Sequence, residues 1–495
     1  MNKTVIIALI LVFLMVTGLS ACQSQPTDLP SEPVITTSTQ PLVTHTSTPT
    51  VTATPIPTPE LPLNGQQTRY KLNLIMNYYN QFATVTEEIT YTNKSSDILS
   101  ELLLIVNPRY YPGSFSLKTL TNASDQPITV FSWDNINLHI PLFPSLSPGD
   151  QITLELTYSL VLPEHEGTFG ISGRQLNLAN WYPYIPPYRD EVGWIVHDMH
   201  LVNSTIVGEY LAYESSDFDV SLQFTDRREN IEVAASAPAS EQGRILQYQL
   251  ELARGFAFSM SDSYVEYEIE QEGVIIRSYV FPGHEASGVA AAEIAARSIS
   301  LFGELLIPYP RKMFSVVEAE FLHNMEFDGM TLINYGVLQF YDGKTRNNLT
   351  ILTPHETSHQ WFYSLVGNDQ ALEPWLDEAL ATYCEVLYYD RYHPEDVQWW
   401  WDSRVTGYDP TGYVDSSIYF PDGYYPYIYA VYLRGAMFLQ TLRDAVGDEA
   451  FFGSLKEYVA TYAYTIATGE DFFAILAKHS NVDLTPILAE YFDIP

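Results

Sequence analysis

His355-Glu356-Thr357-Ser358-His359, followed nineteen positions after its second histidine by Glu378 within Trp375-Leu376-Asp377-Glu378-Ala379, is the stretch on which the reading of this chain turns. On an α-helix four residues turn through about 400° and climb about 6 Å, so His355 and His359 leave one face, one above the other. Two imidazoles so placed can meet a single metal ion. A catalytic zinc site takes three protein ligands of N or O type and keeps one position open for water, and Glu378, on a second helix, supplies the third, anionic ligand. Glu356 is left unliganded one residue from a ligand, where its carboxylate can act as general base toward a water that attacks a carbonyl. The pattern predicts one Zn2+ per chain and hydrolytic chemistry.

The flanks extend the pattern. His355 to Phe362 reads H-E-T-S-H-Q-W-F, and Trp375 to Tyr383 reads W-L-D-E-A-L-A-T-Y. This resembles the aminopeptidase N type of gluzincin metallopeptidases, whose pattern is H-E-x-x-H-x-W-F and then W-L-N-E-G-F-A-x-Y. Upstream, Asn324-Met325-Glu326-Phe327 resembles the family's G-x-M-E-N element. The resemblance implies that Glu326 pairs with the free α-ammonium of a substrate, and only a chain terminus offers the cation that compensates the desolvation of such a carboxylate. Downstream, Tyr432-Leu433-Arg434-Gly435-Ala436 resembles the family's Y-x-K-G-A element. That likeness implies that the Tyr432 hydroxyl donates to the developing oxyanion, a contribution on the order of 3 kcal/mol. Tyr419, Tyr424, Tyr425, Tyr427 and Tyr429 crowd the same region and are expected as packing or wall residues. Glu385, seven residues past Glu378 on the same helical face, matches the last Glu of the family's helix. It is expected either to orient a histidine ligand from behind or to be a solvated surface carboxylate.

The resemblance covers nearly all of the chain after its first sixty residues and implies an α+β multidomain fold. An N-terminal, mainly antiparallel β saddle or sandwich domain precedes a thermolysin-like, mostly helical catalytic domain. The residues agree. From Tyr70 to about Phe281, stretches such as Ala83 to Tyr91 and Ile152 to Tyr158 alternate or carry β-branched side chains, punctuated by turns such as Ser147-Pro148-Gly149-Asp150. Phe256 to Asp262 resembles the family's strand entering the last part of that domain. Near Glu285 the text becomes an Ala-rich helix, Ala286 to Leu305, then a short mixed sheet to Phe340 containing Glu326, then the two metal helices and the helices Gly435 to Ala445 and Glu449 to Ala460. Longer relatives continue into a helical C-terminal domain, so an open cleft and weaker exopeptidase restriction are expected here. If Trp194 to His200 is a strand, His197 and His200 fall on opposite faces and hold no metal together. Trp399, Trp400 and Trp401 are expected to pack in the core.

Met1 to Cys22 carries one Lys, an apolar run from Val5 to Val16, and Leu19-Ser20-Ala21-Cys22. The run is too short for a span of about 20 residues. The segment resembles a bacterial lipoprotein signal, which implies a lipidated Cys22 and a chain anchored at a bacterial cell surface or in a periplasm. Residues 23–62, rich in Thr, Pro, Ser and Val, read as an extended tether, leaving 63–283 for the β domain and 284–495 for the catalytic domain. The only other cysteine, Cys384, is expected to be small, buried and apolar. A formal net charge of −36 excludes nucleic acid as a partner. The partners expected are peptides with a free N-terminus and a membrane. The reading from sequence is a zinc aminopeptidase acting on extracellular peptides, with a zinc endopeptidase and a non-catalytic peptide-binding lipoprotein as its alternatives.

Overall fold

A computed structural model describes residues 66–226, 230–420 and 423–493. Cys22, the expected signal and the tether lie outside the described residues. The first half is strands, and its alternation is what the sequence shows. In strand Arg69–Asn77 the side chains of Tyr70, Leu72, Leu74 and Met76 turn inward while their neighbours face solvent. Strand Phe82–Thr92 repeats this with Ala83, Val85, Glu87, Ile89 and Tyr91. These two sit at the centre of a seven-stranded sheet that also takes in Gln151–Val161, Phe115–Asn122, Ser216–Phe224, Ile245–Ala253 and Ser240–Gln242. All pairings in it are antiparallel except Arg69–Asn77 with Ser216–Phe224. Smaller sheets of three and four strands complete a core around Tyr158, Trp181, Tyr182 and Phe256.

The second half begins with a five-stranded mixed sheet in the order Val265–Gln271, Val274–Val280, Met313–Ala319, Met330–Asn334 and Met325–Phe327. Glu326 lies on its last, edge strand. Helix Glu285–Leu305 buries Ala291, Ala292, Ala295, Ile299 and Phe302 at helical spacing against helix Asn348–Ser358 and the sheet. The Asn347 side chain accepts from Thr350 N and starts helix Asn348–Ser358. Helices Arg434–Val446, Asp448–Tyr462 and Gly469–His479 then close the core around Trp375.

Buried arginines stitch the β-rich part to the helical part. Arg254 donates to the carbonyls of Tyr213, Ser364, Leu365 and Thr465, and burial pulls its pKa down to about 10. Arg311 pairs with Asp328 at 3.0 Å and donates to Glu251 O and Leu252 O. Such charge-assisted bonds hold two elements in one register where apolar packing alone would let them slide. Among the described residues, no helix is long and apolar enough to cross a membrane.

Candidate metal centre

Helix Asn348–Ser358 ends one residue before the second histidine, yet His359 keeps helical dihedrals of φ −60° and ψ −12°, so the stacking of the imidazoles survives. Their ring centroids lie 4.9 Å apart. The opposing helix, Trp375–Tyr392, places Asp377 and Glu378 in its first turn, where exposed backbone N–H groups favour negative charge. Glu378 Oε2 thereby stands 3.2 Å from His355 Nε2 and 3.7 Å from His359 Nε2. One ligating atom from each of the three residues falls within 4.8 Å of the other two.

The donor set fits a divalent cation. Glu378 Oε2 is buried and has no hydrogen-bond partner, because its close approach to His355 Nε2 lacks hydrogen-bond alignment. A bare acceptor facing two imidazole nitrogens would be costly unless something positive sits between them. Burial pushes the Glu378 carboxyl up, but its contact with His355 and the fields of both histidines outweigh this and hold it below the ordinary range. Burial likewise opposes charge on His355, whose contacts with Glu378 and Glu385 nevertheless carry it up to about 9.

Both histidines are backed by carboxylates. His355 Nδ1 lies 3.0 Å from Glu385 Oε1, which settles the question left by the sequence, since Glu385 is wholly buried and not solvated. Glu385 also accepts from Arg404 Nε and Nη2, each at 2.9 Å, and from Trp400 Nε1 at 3.0 Å. Trp400 packs in the core as expected, but its indole N–H also serves the site. His359 Nδ1 lies 2.5 Å from Asp377 Oδ1, and Asp377 Oδ2 accepts from Gln370 Nε2 at 2.8 Å. These carboxylates fix ring orientation and leave each Nε2 free to face the cation position.

Around this set stand the groups named from sequence for chemistry. Glu356 and Glu326 form, with His359, a second group whose polar atoms lie within 4.8 Å of one another. Glu356 Oε2 accepts from Thr331 Oγ1 at 3.3 Å, and burial raises its pKa. Tyr432 lies parallel to His355 at 6.1 Å between ring centroids and is close enough to Glu378 to lower its pKa. Gly435 explains how Tyr432 gets there: a Cβ at that position would collide with Ala379 Cβ, so only glycine lets the helix Arg434–Val446 press against the Glu378 helix. Of the neighbouring tyrosines, Tyr427 is a wall residue packed edge-on to Tyr432.

The sequence reading missed Asp377, Gln370, Arg404 and Glu209. Asp377 had a signal, since it stands where the family pattern W-L-N-E has Asn. Glu209 had none, because it comes from a loop of the β-rich part. Burial, then the charges of Glu378 and Asp377, push its carboxyl up to about 8. Glu326 is driven well above the usual carboxylate range by burial, against the opposing field of His359, with the Glu209 charge adding to the rise. His197 and His200 do not lie on a strand; His197 pairs with Asp369 at 2.8 Å and His200 packs edge-on to Tyr419.

Comparisons with known proteins point the same way. The Peptidase family M1 domain matches residues 290–491. Aminopeptidase M1-A of Oryza sativa subsp. japonica is 27% identical over 229 residues, covering 42% of this chain and 26% of that protein. Aminopeptidase N of Lactobacillus delbrueckii subsp. lactis is 24% identical over 316 residues, covering 56% of this chain and 36% of that protein. The chain thus matches only about a quarter to a third of the length of these relatives. The crystal structure of a mutant M1 zinc metallopeptidase from Deinococcus radiodurans superposes with a TM-score of 0.58 at 17% identity, over 86% of this chain and 94% of that one, and establishes the shared fold. The β-rich part followed by a helical part is the fold shared with that structure, and the helical part carries the two-histidine, one-glutamate centre. The match to the Peptidase family M1 domain covers the helical part of the chain, including His355, His359 and Glu378.

Proposed function

We propose that this chain is a zinc-dependent aminopeptidase that removes N-terminal residues from peptides outside the cytoplasm. The observation that carries the proposal is the unpartnered Glu378 Oε2 facing His355 Nε2 and His359 Nε2. His355, His359 and Glu378 would hold Zn2+, which when bound supplies Lewis-acid polarisation of a peptide carbonyl and a more acidic water. The remaining roles belong to the protein. Glu356, buried and with a raised pKa, takes a proton at its carboxylate during attack and returns it to the leaving amine. The Tyr432 hydroxyl donates to the oxygen on which negative charge develops. Glu385, clamped by Arg404 and Trp400, and Asp377, clamped by Gln370, keep the imidazoles from turning.

Preference for a free N-terminus follows from charge. Burial and the Glu209 charge raise the cost of ionising Glu326, and a substrate ammonium beside it relieves that cost while an acetylated terminus does not. Matched fluorogenic substrates with free and acetylated N-termini test this. The aminopeptidase loses most of its activity on the acetylated form, whereas equal rates would establish an endopeptidase. The Leu19-Ser20-Ala21-Cys22 motif and the Thr/Pro-rich stretch after it support a lipid anchor at Cys22 and a cell-surface or periplasmic location. Replacing Cys22 with Ser should move the protein from the membrane fraction to the soluble fraction, and unchanged partition would end that part of the reading.

A further inference from the structure

Gln370 lies in the turn before the Glu378 helix and is buried. Its position is rigidly set: Asp369 O accepts from Leu372 N and Glu373 N, and Asn368 Nδ2 donates to Glu373 O. From there its side-chain amide meets two carboxylates at once. Nε2 donates to Asp377 Oδ2 at 2.8 Å and to Glu326 Oε1 at 3.4 Å. Both partners are acceptors when ionised, so the amide must turn its nitrogen toward them, one N–H for each. A continuous run of contacts therefore leads from His359 Nδ1 through Asp377 and Gln370 to Glu326.

We infer that Gln370 is a positioning residue that couples metal retention to recognition of the substrate's amine, through Asp377 on one side and Glu326 on the other. The residue type suits the task. A primary amide supplies two donors and no charge, so it can orient Glu326 without neutralising it. A Lys or Arg at this point would occupy Glu326 as an internal ammonium and compete with the substrate. The carboxylate at Asp377 is this chain's departure from the family's Asn, and it creates the acceptor that Gln370 requires. The inference rests on the proposed roles of Glu326 and of the zinc ligands.

The test is Gln370→Met, of similar volume and without donors, read in two ways. Zinc retention in the absence of substrate, followed by competition with a chromogenic chelator, should weaken about tenfold. The KM for a free-amine dipeptide substrate should rise about tenfold, more than kcat falls. In a double-mutant cycle with Glu326→Gln, the second substitution should add almost nothing to KM, because both act on one contact. A purely structural role would instead lower the melting temperature and give additive effects. Unchanged zinc retention, or additive KM effects, would overturn the coupling. If the Met variant does not fold, Gln370→Asn keeps the amide but is one methylene short, and it should show the same two losses in weaker form. A parent protein that cleaves free and acetylated substrates equally would sink the amine-anchor reading itself, a result distinguishable because no substitution is involved.

Discussion

Glu378 and Glu87 are both buried carboxylates with an oxygen that has no hydrogen-bond partner, and they mean opposite things. Glu378 faces two imidazoles in the helical part, and its carboxyl is held below the ordinary range. Glu87 occupies an inward position of strand Phe82–Thr92 in the β-rich core, with no exposure and both oxygens unpartnered. Burial pushes it well up, and although the Tyr158 hydroxyl is near enough to lower it, no well-aligned hydrogen bond joins them. The groups around it are Tyr158, Tyr182 and Tyr70, all neutral at physiological pH. Burial is common to both acids. The sign of the shift, and with it the capacity to bind a cation, comes from what faces them.

The comparison is tested hardest at the functional end. Glu356→Gln should keep zinc and lose kcat on the order of 10³-fold, whereas His359→Ala should lose both metal and turnover. Steady-state kinetics with metal analysis separate the two, and near-normal hydrolysis by Glu356→Gln would remove the assigned base. Tyr432→Phe should retain zinc and reduce kcat about 10²-fold, with little change in KM. Arg404→Met, which unhooks Glu385 without touching a ligand, should weaken zinc about tenfold in chelator competition; unchanged affinity would mean that Glu385 is held well enough by Trp400 alone.

The smallest effect belongs to Glu87. Its folded pKa lies above its unfolded value, so the stability it permits is complete in acid and is lost as pH rises toward the folded value. Glu87→Gln lacks that slope. In urea titrations the variant's advantage should grow between pH 4 and pH 8 to about 1–3 kcal/mol, the cost of a buried unpaired polar group. A gap that does not change with pH would show that the carboxyl is not held in its neutral form.

The parts of this picture that were legible in the sequence are those encoded by local spacing. The pairs His355/His359 and Glu378/Glu385 follow helical periodicity, and strands such as Phe82–Thr92 follow a period of two. What was hidden depends on long-range contact. Whether Glu385 was buried or solvated turned on Arg404 and Trp400, which return to it from the next helical segment. Glu209 reaches the site from a loop about 150 residues before His355, where nothing in its neighbours marks it. Glu87 sits in a strand whose pattern reads correctly, yet alternation cannot show that an acidic residue has taken an inward place.

The five-stranded sheet bears on where this protein can be cut. Strands Val265–Gln271 and Val274–Val280 precede the helix Glu285–Leu305, and Val274–Val280 forms the parallel partner of Met313–Ala319. A fragment trimmed to begin at the helix would strip one flank of Met313–Ala319 bare and offer its amides and carbonyls to other copies. Excision of the peptidase half for expression should therefore start upstream of Val265, or the product will tend to precipitate.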